Sequence, residues 1–321
     1  MRPVRVVLTG ATGFIGSAVL RELGRPPARG ERAPAVRAVG RRAPSGGALV
    51  VNEWVVADHA DPRTLAGVCE GADVLLNLAA SIDADERRCF AVNVEGTAAL
   101  MAEAVRAGVS RIVHLSTAAV YGPGPHRGIA VDEVAPAPVS AASRTRLAGE
   151  AYALAAGATV LRPGLVLGAG DRWVVPVLGQ LLKAVPALWD AGKAMLSLVG
   201  VEELARLIVH TGLTGALPAG RVWHAGHPEP VRTAELLSAL DRHGILAAPV
   251  DAIPWQACRE RLSLSGGVPS ERQLSLFAQD FWYDSREVWS ASGCAPGARP
   301  LAGLAAAAQW YRTLLADAEI A

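Results

Sequence analysis

The sequence has little of what a disulfide framework, a metal centre or a nucleic-acid surface would need. Its four cysteines are scattered without a Cys-x-x-Cys pair, so we expect no disulfide scaffold or metal site and predict that they pack in the interior. Lysine and arginine together number 31 against 30 aspartates and glutamates, which leaves no net field to attract nucleic acid or an anionic membrane. A small molecule is therefore the expected partner.

Long apolar segments are also missing. No uninterrupted hydrophobic run is long enough to span a bilayer, and the N-terminus runs directly into a short apolar strand, so we expect a cytoplasmic protein. His224 and His227 are close in sequence, but their Gly- and Pro-rich segment has no evident carboxylate partner. That context favours a surface loop over a metal site.

What the chain does contain is an alternation of short apolar runs with helical patterns of Ala, Leu and Val. Hydrophobic residues make up 51% of the 321, enough to bury one large core with a smaller dependent lobe. The alternation predicts an α/β protein with a Rossmann-type doubly wound parallel sheet. The predicted strands cover residues 4–8, 35–39, 54–57, 74–79, 112–115 and 159–161.

The alternation weakens after Gly168, where Pro and Trp become frequent. We therefore predict a cofactor-binding domain over residues 1–168 and, over 169–321, a smaller C-terminal substrate-binding lobe with segments that return to the first domain. Helices are predicted over 196–213 and 301–315. Aromatic side chains of this lobe offer flat apolar surfaces to a bulky aromatic substrate, with core packing as the alternative; they are Trp173, Trp189, Trp255, Phe277, Trp282 and Tyr283.

Three glycines follow the first predicted strand and open a helix. Gly10, Gly13 and Gly16 allow a tight turn, a close approach of the backbone to a pyrophosphate, and close packing of the helix on the strand. The free N–H groups at the helix N-terminus also suit phosphates. We predict a dinucleotide site here, formed by Gly10, Thr12, Gly13, Phe14, Ile15 and Gly16.

The second predicted strand is followed by Arg41 and Arg42. A protein that binds NAD usually presents a carboxylate to the ribose 2′-hydroxyl at this point. Two guanidinium groups suit a 2′-phosphate instead, which favours NADPH/NADP+ as the cofactor, with solvated arginines as the alternative in an Arg-rich chain.

The third and fourth predicted strands end in further candidate cofactor ligands. Asp58 is expected beside the adenine, whereas Asp61 is expected to cap the helix that begins near Pro62. Small side chains after the fourth strand, Ala79 and Ala80, let the dinucleotide lie close to the backbone.

Together these motifs resemble those of the extended short-chain dehydrogenase/reductases, a family that includes nucleotide-sugar epimerases and dehydratases. The resemblance covers nearly the whole chain and implies a nicotinamide cofactor, with Pro163 among its contacts. The motifs occur in family order and comprise the glycine turn and residues 77–80, 93–97, 115–122, 161–164 and 284–286.

The resemblance also implies a catalytic Ser or Thr after the fifth strand and a Tyr-x-x-x-Lys pair on the next helix. Thr117 fills the first position, and counting back from Glu150 places Arg146 at the lysine position. Ala142 then stands at the tyrosine position and has no proton to give. Arg146 keeps the charge and can still bind the nicotinamide ribose, but its high pKa makes it a poor acid or base. The usual proton relay is therefore absent.

Other residues are candidates for substrate contact or proton transfer. The segment 133–150 contains no tyrosine, which leaves Tyr121 as the nearby candidate acid, although the family's tyrosine at this point is commonly structural or lines the pocket. The candidate catalytic residues are Thr117, Arg146 and Tyr121. The candidate substrate-binding residues are Ser81, Asp83, Tyr121, Ala142, Leu165 and Trp173.

We expect an enzyme, because a protein that has lost one acid can still orient a nicotinamide toward the carbon that accepts the hydride. A phenol beside the substrate ketone would stabilise the developing alkoxide, with Thr117 assisting. Atypical reductases of antibiotic pathways also lack the Tyr-Lys pair. This resemblance implies NADPH-dependent reduction of a ketone on an aromatic, angucyclinone-like polyketide. A non-catalytic NADP(H) sensor or partner protein is the alternative, and a nucleotide-sugar epimerase or dehydratase ranks below it. A homo-oligomer is left open.

Overall fold

One parallel sheet organises the computed structural model, which describes residues 2–27, 32–43, 51–266 and 269–320. Its spatial order is β12-β7-β5-β4-β1-β2-β3, and every neighbouring pair is parallel. The predicted Rossmann-type α/β fold is confirmed. The seven strands are β1 (Arg5–Thr9), β2 (Ala35–Gly40), β3 (Glu53–Val56), β4 (Val74–Asn77), β5 (Arg111–Leu115), β7 (Thr159–Arg162) and β12 (Val222–His224).

Helices cover both faces of the sheet, because connections between parallel strands must cross over it. Successive side chains of β1 point to opposite faces: Val6 packs into the core under α1, α6 and α10, and Val7 into the core under α3 and α4. A π-helical segment, Ala91–Gly96, joins α2 to α3. The helices of this layer are α1 (Phe14–Leu23), α2 (Glu86–Phe90), α3 (Thr97–Arg106), α4 (Ala141–Ala155), α6 (Val201–Thr214) and α10 (Arg286–Ser292).

A second lobe consists of short strands and five helices around its own apolar core. Four strands pair in the order β13-β10-β15-β6, and β11-β8 and β14-β9 form two-stranded ladders. The strands are β6 (His126–Ile129), β8 (Leu165–Leu167), β9 (Leu188–Trp189), β10 (Met195–Leu196), β11 (Leu198–Gly200), β13 (Val231–Arg232), β14 (Ala252–Ile253) and β15 (Phe281–Tyr283). The helices are α5 (Val174–Ala184), α7 (Thr233–Arg242), α8 (Trp255–Ser263), α9 (Glu271–Ala278) and α11 (Leu304–Ile320).

The chain crosses between the two parts after residue 168. β12 completes the parallel sheet, and α6 packs on α1. The helix predicted over 196–213 begins only at Val201, because Leu196 pairs with Phe281 in β15 and β11 follows directly. Short buried strands give a continuous apolar run that periodicity does not separate from a helix.

Several side chains lie deeper than the sequence indicated. Trp189 and Phe277 are completely buried, so core packing explains them, whereas Trp173 is 38% exposed. The surface loop predicted for His224 and His227 is wrong, since both are buried. All four cysteines are buried, as predicted. Within the described ranges, no helix combines the length and apolar character needed to cross a bilayer.

Candidate functional site

The candidate site lies where the strand order reverses, between β1 and β4, which is where open α/β sheets bind ligands. The loops after these strands touch each other through their backbones. A Cβ on Gly10 would lie 2.9 Å from the nitrogen of Ala79 and from the carbonyl oxygen of Leu78, and the φ of Gly10 is +71°. Only glycine fits both the conformation and the space.

Of the other two glycines of the turn, Gly16 is tightly constrained and Gly13 less so. A Cβ on Gly16 would lie 1.9 Å from the carbonyl oxygen of Gly10, and one on Gly13 would lie 3.2 Å from it. The N-cap of α1 is Gly13, so no cap side chain binds the N–H groups of the first turn of this helix. Thr12 is exposed, and Phe14 and Ile15 are half-buried. This cradle fits the pyrophosphate of a dinucleotide.

A buried network of hydrogen bonds joins the end of β1 to the end of β4 and the loop that follows it. The Thr9 hydroxyl donates to Asn77 Oδ1 at 2.8 Å and accepts from the backbone nitrogens of Leu78 and Ala79. The Asn77 amide group must then donate from Nδ2 to His114 Nδ1, 3.0 Å away, which sets His114 in its Nε2–H tautomer. Sequence reasoning missed Asn77 and His114 in this role, because nothing in the pattern links two strands 37 residues apart.

The predicted adenosine contacts lie at the ends of β2 and β3. Arg41 and Arg42 are exposed directly after β2. Asp58 is half-buried, and its Oδ1 accepts from the backbone nitrogen of Ala60 at 3.0 Å. Asp61 caps the 3₁₀ helix Pro62–Leu65, as predicted. Arg41, Arg42 and Asp58 thus follow two adjacent strands, and their contact with a nucleotide stays a prediction.

Two of the three predicted catalytic residues, Thr117 and Arg146, are at the carboxyl end of β5. Arg146 Nη2 donates to the carbonyl oxygens of Leu115 at 2.9 Å and Ser116 at 2.6 Å, which brings its guanidinium group beside Thr117. Burial lowers the pKa of Arg146 to about 10, so the group is still a cation at neutral pH. Ala142 lies one helical turn before Arg146 on the same face of α4. The tyrosine position is thus occupied by a methyl group.

Asn93, which lies in the π-helical segment, connects the loop after β4 to α4 through hydrogen bonds. Asn93 Oδ1 accepts from Ser81 N at 2.7 Å, and its Nδ2 donates to Ser81 O and to Thr145 Oγ1. Ser81 is therefore held at the edge of the crevice. Asp83 is exposed, accepts from Asp85 N and faces Arg88 at 3.7 Å. The motif 93–97 carried the family resemblance, yet its sequence alone did not indicate this contact.

Tyr121 is not in the crevice. It is 1% exposed, and its hydroxyl group is enclosed by Arg162 Nη1 at 2.9 Å, the carbonyl oxygen of Val131 at 3.0 Å and His224 Nε2 at 2.7 Å. Burial also raises the pKa of Tyr121. The prediction that Tyr121 acts as the acid or binds substrate is therefore wrong, because a substrate would have to displace these partners.

The remaining predicted residues lie along the second lobe. Pro163 is buried, and its carbonyl oxygen accepts from Ala118 N at 2.9 Å, directly after Thr117. Leu165 is half-buried in β8 and packs against the core of the second lobe. Trp173 precedes α5 and, at 38% exposure, is more exposed than the other predicted aromatic contacts.

Arg162 and Glu150 form a buried ion pair. In the sequence, Glu150 served only to set the register of α4. Arg162 donates to Glu150 from Nη2 at 2.6 Å and from Nε at 3.0 Å, and the Ser116 hydroxyl donates to the same carboxylate. The Arg162 and Glu150 side chains are 6% and 2% exposed. The pair ties α4 to β5 and β7.

Replacing Arg162 should show how much the site depends on this pair. Arg162→Met leaves the Glu150 carboxylate buried without its counter-charge, so we expect a loss of about 3–5 kcal/mol in the free energy of unfolding, measured by urea denaturation. Arg21→Met is the matched control, because it breaks an exposed pair with Glu202 and should cost about 1 kcal/mol or less. Equal losses in the two variants would contradict the prediction.

Known proteins match this chain over most of its length. A 4-hydroxy-2-methyl-3-oxo-4-farnesyl-3,4-dihydroquinoline-1-oxide ketoreductase of Stigmatella aurantiaca is 29% identical over 277 residues, 80% of this chain and 78% of that protein. A putative dihydroflavonol 4-reductase of Synechocystis sp. is 27% identical and covers 95% of this chain and 94% of that protein. Sterol demethylase protein B of Methylococcus capsulatus is 40% identical over 124 residues, but this match spans only 36% of that protein.

Solved structures show the same fold. The UDP-glucuronic acid 4-epimerase of Bacillus cereus, in complex with NAD, superposes with a TM-score of 0.72 at 18% identity over 97% of this chain and 99% of that one. A dTDP-glucose 4,6-dehydratase of Streptomyces venezuelae, with NAD and TYD bound, gives 0.72 at 22% identity over 97% of each chain. The family model for NAD dependent epimerases/dehydratases matches residues 6–226. The chain belongs to the NAD dependent epimerase/dehydratase family, within the extended short-chain dehydrogenases/reductases.

Proposed function

We propose that this protein is an NADPH-dependent ketoreductase that reduces the ketone of a bulky aromatic polyketide, of the angucyclinone type, to an alcohol in antibiotic biosynthesis. The proposal depends on which side chains lie at the carboxyl end of β5. Arg146 is held there beside Thr117, whereas Ala142 replaces the family's acid–base tyrosine one turn away. The site keeps groups that bind and orient a carbonyl but lacks the usual proton donor.

Ketone reduction tolerates this loss better than sugar oxidation does. A general acid contributes about 10²–10⁴-fold to a rate, whereas orienting two reactants can contribute about 7–11 kcal/mol. A sugar hydroxyl must lose its proton to be oxidised, and the methyl group of Ala142 cannot accept it. A nucleotide-sugar epimerase or dehydratase therefore ranks low.

A phenol next to the ketone would take the place of the tyrosine. Its hydroxyl group hydrogen-bonds the carbonyl oxygen and stabilises the alkoxide as it forms. Thr117 can donate a second bond, because its Oγ1 accepts from Ala119 N at 3.1 Å and its hydroxyl proton is left for the substrate. The Arg146 cation adds a positive field at the same oxygen. Trp173 offers an exposed ring to a flat substrate.

The cofactor assignment rests on the turn after β1 and the end of β2. Gly10, Gly13 and Gly16 leave room for a pyrophosphate, and Arg41 and Arg42 would pair with a 2′-phosphate. Bound there, NADPH supplies a hydride to an electrophilic carbon.

The relatives support ketone reduction. The Stigmatella protein is named as a ketoreductase, and its named substrate has a hydroxyl at carbon 4 beside the ketone at carbon 3. The Synechocystis protein is named as a putative dihydroflavonol 4-reductase. The absence of the Tyr-Lys pair also resembles the simocyclinone 7-ketoreductase, which acts on an angucyclinone.

A non-catalytic NADP(H) sensor is the second candidate. Ala142 favours it, since a protein that only binds the cofactor has no use for the acid. Both candidates need the glycine turn and differ in turnover alone.

Oxidation of NADPH, followed at its absorbance band, separates the candidates. We expect turnover with phenolic polyketide ketones and none with nucleotide sugars. Methylation of the substrate phenol should lower kcat/KM by about 10²–10⁴-fold, because it removes the internal hydrogen-bond donor. Binding of NADPH without turnover of any ketone would support the sensor, and turnover of a nucleotide sugar would contradict both candidates.

Restoring the tyrosine tests where the proton comes from. Ala142→Tyr places a phenol on the face of α4 that carries Arg146, so we expect kcat/KM for the O-methylated ketone to rise about tenfold or more, with little gain for the phenolic ketone. Ala142→Phe is the control, because it adds the ring without the hydroxyl group. A gain of equal size with phenylalanine would show that packing, not proton donation, limits the reaction.

Cofactor preference should depend on Arg41. Arg41→Ala removes one cation from the end of β2, and we expect the Kd for NADPH to rise about tenfold while the Kd for NADH changes little. The exposed Arg242 on α7 gives the control, Arg242→Ala, which should leave both values unchanged. If NADPH and NADH weaken equally in Arg41→Ala, the 2′-phosphate assignment is wrong.

A further inference from the structure

The C-terminal helix α11 is fastened to the loop that joins β8 to α5, here called the β8–α5 loop (168–173). The Tyr311 hydroxyl accepts from Gly168 N at 2.9 Å and donates to Asp171 Oδ2 at 3.1 Å. The indole nitrogen of Trp310 donates to the carbonyl oxygen of Asp171 at 3.1 Å. Two adjacent residues of α11 thus make three hydrogen bonds to this loop.

Asp171 is the centre of the loop. It is 2% exposed, and its carboxylate accepts from the backbone nitrogens of Trp173, Val174 and Val175 at the start of α5. A carboxylate at a helix N-terminus satisfies N–H groups that otherwise have no partner and interacts favourably with the helix dipole. Asp171 therefore connects the start of α5 to Tyr311.

The same loop touches both ligand-binding parts of the proposed site. The backbone of Gly170 packs against Phe14, the first residue of α1, so closely that a Cβ there would lie 2.8 Å from Phe14 Cδ2. On the other side of Asp171 the loop ends in Trp173, the exposed aromatic residue of the second lobe. A shift of the loop would displace the glycine turn and the aromatic surface together.

We propose that Tyr311 is a positioning residue: through Asp171 it holds the β8–α5 loop against Phe14 and so sets the dinucleotide turn and Trp173 relative to each other. Tyr311 is completely buried and touches neither ligand site itself. Its role concerns binding rather than proton transfer. The inference rests on the proposed function for the dinucleotide at the glycine turn and for the ketone beside Trp173.

Tyr311→Phe is the test, because it removes the hydroxyl group and keeps the ring. We expect the Kd for the reduced dinucleotide, titrated as NADPH and as NADH by fluorescence, to rise about three- to tenfold. KM for the ketone should rise similarly, while kcat at saturation stays within about twofold, since no reacting atom is touched. Gly170→Ala should raise the same Kd, because its Cβ would press on Phe14 and because the φ of +107° at this position is one that residues with side chains rarely adopt.

Thr233→Val is the matched control. It removes another buried hydroxyl of the second lobe, whose partners are the carbonyl oxygens of Phe277 and Ala194, neither of which lies in the β8–α5 loop. We expect it to lower the melting temperature as Tyr311→Phe does but to leave the Kd unchanged. Unchanged dinucleotide affinity in Tyr311→Phe, or an equal change in Thr233→Val, would overturn the inference. Because the Kd is measured without a ketone, this result is independent of whether any ketone is turned over.

Discussion

Glu150 and Arg162 carry opposite charges in a region from which water is excluded, and the arrangement of the site depends on their contact. Desolvating either charge alone costs several kcal/mol, so each side chain constrains the element that carries the other. Their bidentate contact joins α4 to β7, and Ser116 adds β5. Arg146 lies one turn before Glu150 on α4, which means that the ion pair also places the cation beside Thr117.

The site differs from the motif of the family it resembles at both positions of the Tyr-x-x-x-Lys pair, which are Ala142 and Arg146 here. The glycine turn, the Asn93 contact to Ser81 and the buried ion pair are all formed in this chain. A site built to bind and orient, without its own acid, suits a substrate that brings a hydrogen-bond donor. One hydroxyl group of the substrate would then determine both which substrate is selected and how the reaction is catalysed.

Much of the fold could be predicted from the sequence, because local rules decide it. Apolar runs of strand length alternate with helical patterns, and Gly10 occupies a positive φ that other residues rarely adopt. The positions of Arg146 and Ala142 followed from the register of one helix. Tyr121 could not be placed this way, because its burial depends on Arg162 and His224, which lie 41 and 103 residues away. The Asp171–Tyr311 contact spans 140 residues and has no local signal.

Two buried histidines near the site, His59 and His114, carry no charge at ordinary pH. Desolvation lowers the pKa of His114 to about 3 and that of His59 to about 4, so both are neutral at ordinary pH. Neither histidine then places a second positive charge near Arg146, whose own pKa of about 10 keeps it protonated. The Arg146 guanidinium group therefore keeps its positive charge near neutral pH, while the two histidines stay neutral. Arg146 does not release its proton near neutrality, so under the proposed function the proton would come from a hydroxyl group of the substrate.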